Sequence, residues 1–418
     1  MFALNNPTTR AALLCTSAWS AMADAGLIDD SKATVLLRNY YFDRDYSDTG
    51  AVQSQRQEWA QGFIIKGTSG YTPGAVGVGL DVLGLVGVKL DSSPDRTGTE
   101  LLPYDHDDGR APASYGRLGL TAKVRLSRTE LRLGELMPDV PILRFNDGRL
   151  LPQTFQGAML TSREIDRLVL HVGQIHAFSP LSAADSEDLY PSVGGRTVAT
   201  ATSDRFTYAG GEYRLGKDSA LGLWTAELDN VYRQNYYSLT HYQPVGGWTV
   251  GGVLGAFDTR DTGRSLAGAL DNQAASLLLS AAHGGHRFYM GWQRMYGEDG
   301  WVTIDRSLGS TLANDMFANT FVYANERSWQ LRYDYNFAAL GIPGLTLLVR
   351  YAHGDHIHSA ETSNGREWAR DVGLTYTFQF RSLQGLSVRW VNAEVGRDFG
   401  VSDFTENRLI VSLPVELF

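Results

Sequence analysis

The chain has 418 residues and a net charge of −9, with 37 Lys and Arg against 46 Asp and Glu. No basic tail or patch indicates a nucleic-acid partner, and no segment approaches the ~20 consecutive apolar residues of a membrane-spanning helix. A mean hydropathy of −0.21 leaves a membrane β-barrel open, because each barrel strand alternates lipid-facing with lumen-facing residues.

Residues 1–23 have the features of a secretory signal. Arg10 supplies the positive charge, a short apolar stretch follows it, and Ala21-Met22-Ala23 fits the cleavage pattern. We therefore expect a mature protein that begins at Asp24 and forms a single domain over residues 24–418. Because Cys15 is the only cysteine, the mature chain would contain no disulfide.

The rest of the chain is organised by apolar–polar alternation in runs of about 8–10 residues. Four runs show it best, at residues 117–127, 329–336, 345–351 and 408–417. A soluble β-sandwich also alternates, and so does a soluble secreted β-protein such as a lectin. Here the polar face repeatedly carries a cation at mid-strand, which favours a barrel with a polar lumen and a lipid-facing outer surface.

The connections between runs differ in length. Those at 127–129 and 341–344 are tight turns, whereas those at 91–114, 178–204 and 297–314 are long loops. A mature chain of about 395 residues, at roughly 22 residues per strand with its connection, predicts about 18 strands. The predicted fold class is therefore all-β, a closed antiparallel transmembrane β-barrel with short periplasmic turns and long extracellular loops.

Several stretches in chain order resemble the OprD family of outer-membrane channels. They are Leu36-Leu37-Arg38-Asn39-Tyr40-Tyr41-Phe42, Trp59-Ala60-Gln61-Gly62-Phe63, Leu151-Pro152-Gln153-Thr154, Ala226-Glu227-Leu228, Val231-Tyr232-Arg233-Gln234, Ser328-Trp329-Gln330, Gly341-Ile342-Pro343-Gly344 and Arg408-Leu409-Ile410-Val411. The resemblance covers essentially the whole mature chain. It implies an 18-stranded barrel in the outer membrane of a Gram-negative cell, a third loop folded inward, and a narrow eyelet completed by a later loop.

The resemblance also implies a ladder of basic side chains along one lumen wall. Arg125, Arg389 and Arg408 match its positions, and alternation places Lys123, Arg38, Arg332 and Arg350 inward as well. Fixed guanidinium groups lower the cost of stripping water from a carboxylate and bind it bidentately. Thr375 and Val391 stand where the family pattern has basic residues, so the ladder is expected to be shorter here. The alternative role for each arginine is an ion pair with a loop acid such as Asp185, Glu187 or Asp188.

The eyelet is expected from residues 186–190 and 314–317. Tyr190 resembles the constriction tyrosine of the family, and Asp188 and Asp315 are the candidate eyelet acids. Acids opposite arginines would create a transverse field that orients a passing zwitterion. The alternative is that these residues only tie a loop to the barrel wall.

The predicted function is passive uptake of small carboxylate-bearing nutrients, amino acids or aromatic and aliphatic acids, by a substrate-selective porin. The alternative is an outer-membrane barrel hydrolase, although the sequence contains no G-x-S-x-G and no H-E-x-x-H. We expect no enzymatic activity, no metal site and no cofactor. The expected partners are carboxylate substrates, outer-membrane lipid and lipopolysaccharide, with the chain as a monomer or a loose homotrimer.

Overall fold

The computed structural model describes residues 26–418, except 49, 308–310 and 401–402. The expected signal segment, residues 1–23, lies outside the described residues. Eighteen long strands dominate the described part of the chain. They are β1 (Lys32–Tyr46), β2 (Gln55–Thr68), β3 (Val76–Asp91), β4 (Ser114–Leu126), β5 (Thr129–Leu136), β6 (Thr154–Ser162), β7 (Leu168–Ser179), β8 (Phe206–Arg214), β9 (Ser219–Leu228), β10 (Tyr232–Val245), β11 (Trp248–Asp261), β12 (Asp271–His283), β13 (His286–Gly297), β14 (Arg327–Asn336), β15 (Leu345–Ile357), β16 (Gly365–Thr377), β17 (Ser387–Arg397) and β18 (Phe404–Glu416).

These strands form one closed antiparallel barrel. Each strand pairs with its neighbour in sequence, and β1 also pairs with β18, so that Arg38 lies opposite Gly62 on one side and Ser412 on the other. Closure satisfies the backbone groups of every strand and removes the free edges. The predicted closed β-barrel of 18 strands is confirmed. Helices are confined to short turns, and among the described residues none is long and apolar enough to cross a membrane.

The two ends of the barrel differ in their connections. One end has short turns, such as the Gly246-Gly247 pair between β10 and β11, whose φ angles of 55° and 84° fit a two-residue hairpin turn. The other end has the longest loops: 92–113, loop 3 (137–153), loop 4 (180–205) and loop 7 (298–326). In outer-membrane barrels the short turns are periplasmic and the long loops extracellular.

The apolar face of the alternation is the outer surface of the barrel. On β4, Leu118 is 73% exposed and Leu120 is 53% exposed, whereas Lys123 is 2% exposed. The same parity holds on β18, where Leu409 is exposed and Arg408 is buried. Exposed leucines in this number are explained by a lipid environment, so the cations point into the lumen.

A charge placed on this outer face is expected to destabilise the barrel in a depth-dependent way. Leu120→Arg, at the middle of β4, should lower the free energy of unfolding in lipid by about 2–4 kcal/mol, because the guanidinium enters the hydrocarbon. Leu126→Arg on the same face, at the strand end, should cost about 0–1 kcal/mol. Denaturant titration of the barrel in bilayers measures both, and equal costs would contradict a membrane placed across the middle of β4.

Three loops fold into the barrel. Loop 3 contains a small hairpin, Asp139–Val140 with Leu143–Arg144, and Pro191–Val193 of loop 4 pairs with Val302–Ile304 of loop 7. Leu150 and Leu151 of loop 3 are fully buried against the wall. The lumen is therefore narrowed by three packed loops, of which loop 3 is the inward third loop that the family resemblance implied.

Candidate transport path

Three adjoining cavities run through the lumen. An outer cavity of about 530 Å³ lies among the long loops, a central cavity of about 660 Å³ lies between loops 3 and 7, and an inner cavity of about 530 Å³ reaches the short turns. The outer and central cavities share Arg44, Arg149 and Arg306. The central and inner cavities share Phe317 and Arg332. Shared walls make the three cavities one path through the barrel.

Arginines line this path from end to end. They come from β1, β2, β13, β14, β15, β17 and β18 and from loops 3 and 7, and they are Arg44, Arg56, Arg149, Arg306, Arg397, Arg408, Arg350, Arg332, Arg287 and Arg389. Most of the strand arginines belong to adjacent strands, so the cations follow one side of the lumen. Such a wall favours small anions in transit.

Many of these arginines are held by acids on the same wall. Glu406 pairs with both Arg44 and Arg408, and Asp371 accepts a 2.7 Å bond from Arg350 Nε. Arg397 and Arg332 are held in the same way, by Glu367 and Asp334. The pairing fixes the guanidinium groups and reduces the net charge that a passing anion experiences.

Arg389 differs from these paired arginines. No hydrogen bond or ion pair joins its side chain to any residue in the described part of the chain. Its guanidinium carbon lies 4.9 Å from the centre of the Phe317 ring, in the geometry of a cation–π contact. Arg389 thus presents free hydrogen-bond donors to the inner cavity.

The structure brings four of the seven predicted ladder residues together on the path. Arg332, Arg350 and Arg408 line the central cavity, and Arg332 and Arg389 line the inner cavity. They belong to β14, β15, β18 and β17. Neighbouring strands of a barrel place alternate side chains on one wall, which is why residues so far apart in sequence meet here.

The other three predicted ladder residues lie outside the three cavities. Arg38 is committed to loop 3, donating to Asp147 Oδ1 at 2.7 Å and to the Arg149 carbonyl at 2.8 Å. Lys123 forms a buried 2.6 Å ion pair with Asp81. Arg125 is exposed near the short-turn end, with its guanidinium carbon 4.1 Å from the centre of the Tyr71 ring.

The three predicted eyelet residues have different surroundings. Tyr190 is buried and donates to Glu187 Oε2 at 2.9 Å, and Asp188 is exposed outside the three cavities. Asp315 lines the central cavity, and its carbonyl accepts a 2.7 Å bond from Arg350. Burial raises the pKa of the Asp315 carboxyl to about 6, although nearby Arg350 opposes that rise.

Comparisons with known proteins agree with this architecture. The model of the outer membrane porin, OprD family, matches residues 25–417. The chain belongs to the OprD family of outer membrane porins. The porin-like protein GalP of Pseudomonas putida KT2440 is 47% identical over 97% of both chains. An outer-membrane localisation and a porin fold follow for this chain.

Two solved structures of family members contain ligands. OpdK of Pseudomonas aeruginosa, solved with vanillate, is 49% identical, with a TM-score of 0.88 over 94% of this chain and 100% of that one. OccK2 (OpdF) of the same organism, solved in complex with glucuronate, is 46% identical, with a TM-score of 0.84 over the same shares.

Several residues that line the transport path were not predicted from the sequence. Arg149 and Arg306 lie in loops 3 and 7, where no alternation indicates the direction of a side chain. Arg44 and Arg397 face the lumen at strand ends. Alternation could have predicted this direction, because Arg44 is an even number of residues from Arg38 in β1, as Arg397 is from Arg389 in β17. Phe317 was noted only as part of the eyelet segment.

The two positions at which the family resemblance implied basic residues, Thr375 and Val391, lie on the same wall. Thr375 lines the inner cavity and is paired across the sheet with Arg389, while Val391 is buried and paired with Arg408. Neither supplies a charge beside its arginine. The wall next to Arg389 and Arg408 therefore has no cation at these two positions.

Proposed function

We propose that this chain is a passive, substrate-selective channel for small carboxylate-bearing nutrients. The observation that carries the proposal is Arg389, a guanidinium on the path with no acid partner among the described residues. The paired arginines of the outer and central cavities reduce the desolvation cost of an anion without trapping it. Arg389 then offers a planar set of donors that can bind a carboxylate bidentately.

The ligands of two relatives support the same chemistry. Vanillate and glucuronate are both carboxylates, and the family members that hold them share the barrel over 94% of this chain. Among amino acids and aromatic or aliphatic acids, the carboxylate is the common group that an arginine wall recognises. Arg125, Arg38 and Lys123 are proposed to act at the rim or as loop supports. Tyr190 and Asp188 are proposed to shape loop 4, and Asp315 is proposed as the acid of the constriction.

The hydrolase alternative requires a serine activated by a histidine. One such pair exists, with Ser219 Oγ 2.8 Å from His241 Nδ1. It lies on the outward face of the barrel, which Leu221 and Leu239 share. Within the described residues no carboxylate is hydrogen-bonded to His241, and an orienting acid is what completes a catalytic triad. We therefore propose a channel rather than an enzyme.

Substitution of Arg389 tests the proposal directly. In planar bilayers, benzoate added to one side is expected to block the KCl current of the wild-type channel. In Arg389→Gln the block should weaken about ten- to hundredfold, because a hydrogen-bonded charge is worth about 1.5–3 kcal/mol. The reversal potential under a KCl gradient should shift toward cation selectivity.

Arg125→Gln is the matched control for this experiment. Arg125 also has only an aromatic ring contact in the described structure, but it lies outside the three cavities. It should leave the benzoate block close to that of the wild type. Equal effects of the two substitutions would count against Arg389 as the binding group. Correctly folded protein without channel activity would favour the hydrolase.

A further inference from the structure

Phe317 of loop 7 is held against the barrel wall by contacts with four consecutive strands, β15 to β18. Its amide donates to Asp371 Oδ2 of β16 at 2.9 Å, and its carbonyl accepts a 2.7 Å bond from Arg408 of β18. Its ring centre lies 4.5 Å from the guanidinium carbon of Arg350 on β15 and 4.9 Å from that of Arg389 on β17. The ring is thus held between the central and inner cavities by the arginines that line them.

The Phe317 ring lies next to Gly373, a position of the wall that has no side chain. A Cβ built on Gly373 of β16 would lie 3.6 Å from Phe317 Cε2 and 3.8 Å from Leu348 Cβ. Phe317 and Leu348 therefore flank Gly373 on the lumen side of the sheet, each within ordinary van der Waals distance of that position. Both side chains line the inner cavity, as does Arg389.

This apolar surface contrasts with the rest of the inner cavity. The inward-facing neighbours on β14 to β17 are polar or charged, namely Arg332, Asp334, Thr346, Thr375 and Arg389. An apolar pair exposed to water in a polar lumen gains free energy when another apolar group covers it. The unpaired guanidinium of Arg389, beside this apolar surface, determines where the charged end of a bound molecule must lie.

We propose that Phe317 is the specificity-determining residue of the channel, forming with Leu348 an apolar seat beside Arg389 that favours carboxylates with an apolar body over polyhydroxylated ones. The inference rests on the proposed carboxylate function. A carboxylate bound to Arg389 places its own body within reach of Phe317 and Leu348. A ring or branched chain makes van der Waals contacts there, whereas a sugar acid would lose water from its hydroxyl groups without gaining partners.

Bi-ionic reversal potentials test this preference. With potassium benzoate on one side of a planar bilayer and potassium glucuronate on the other, the wild-type channel should favour benzoate. In Phe317→Ala the benzoate-to-glucuronate permeability ratio should fall about two- to tenfold, the size of an aromatic contact. Phe317→Leu, which keeps an apolar side chain, should retain most of the preference.

Leu348→Thr is the second variant, because it removes half of the seat by a substitution on β15 and not in loop 7. It should also lower the benzoate-to-glucuronate permeability ratio. Leu278→Thr is the matched control, since Leu278 faces the lumen from β12, four strands away from β16. It should leave the ratio unchanged.

The outcomes separate this inference from the function on which it rests. Unchanged ratios in Phe317→Ala and Leu348→Thr would overturn the inference. So would a ratio that falls only in Phe317→Ala together with a severalfold rise in KCl conductance, because loop displacement alone explains that result. If Arg389→Gln left benzoate block unchanged, the carboxylate function would fail, whatever the permeability ratio showed.

Discussion

Arg38→Ala is expected to raise the single-channel conductance severalfold and to make the open-channel current noisier. The Arg38 side chain donates to both carboxylate oxygens of Asp147, at 2.7 and 3.0 Å, and to the carbonyl of Arg149 at 2.8 Å. Each hydrogen bond to a charged group contributes about 1.5–3 kcal/mol. Without them, residues 146–149 of loop 3 lose most of their hydrogen bonds to β1 and keep the 3.1 Å bond from the Tyr40 hydroxyl to the Gly148 carbonyl.

The effect should stay local to residues 146–149 of loop 3. Leu150 and Leu151 remain fully buried against the wall, so the base of the loop stays docked. Asn146, Gly148 and Arg149 line the central cavity, and their release widens it. Single-channel recording in 1 M KCl, where charges are screened beyond about 3 Å, separates this steric effect from the effect of lost charge.

Arg44→Ala is the control for lost side-chain volume and charge. Arg44 lines the same cavity but pairs with Glu406 on β18 and not with loop 3. Its substitution should change the conductance much less than Arg38→Ala. If the two variants gave the same increase, the link between Arg38 and the position of loop 3 would be wrong.

Anion selectivity is expected to rise as the pH falls through about 6, because Asp315 loses its charge in that range. Burial raises the pKa of Asp315 to about 6, against the opposing effect of Arg350 and Arg144. At pH 7.5 the carboxylate is mostly ionised and partly cancels the arginines of the central cavity. At pH 5 it is mostly neutral, so the reversal potential under a KCl gradient should shift toward anion selectivity.

Asp315→Asn isolates this effect. The variant should show at pH 7.5 the anion selectivity that the wild type shows at pH 5. Its selectivity should change much less between these two pH values than that of the wild type. His106 and His286 line the outer and inner cavities. A pH shift that persists in Asp315→Asn and disappears in His106→Gln or His286→Gln would contradict the role of Asp315.

Alternation in the sequence, with a cation repeated at mid-strand on the polar face, predicted the barrel and the direction of its side chains. Leu120, Leu331 and Leu409 face outward while Lys123, Gln330 and Arg408 are buried inside, as a period of two requires. The strand count followed from length alone, since every strand of a barrel repeats the same unit. The family resemblance added the inward third loop.

The tertiary structure decided which inward cations remain available to a substrate. Alternation places Lys123, Arg350 and Arg389 on the same face, yet Asp81 neutralises the first and Asp371 the second. Those acids lie on neighbouring strands or across turns, and strand pairing is a long-range property that no local pattern contains. That Arg389 has no acid partner among the described residues could not be predicted from the sequence of its own strand.

The side chains of the loops that line the path were even harder to predict from the sequence. Arg149 and Phe317 line the path because loops 3 and 7 fold back onto the wall, through contacts with Thr99, Asp371 and Arg408. An irregular backbone has no period, so the sequence indicates only that such loops are long. What the sequence by itself determined was a lumen wall rich in arginine. Which arginines are free, and which aromatic ring stands beside them, was decided by long-range packing of loops against strands.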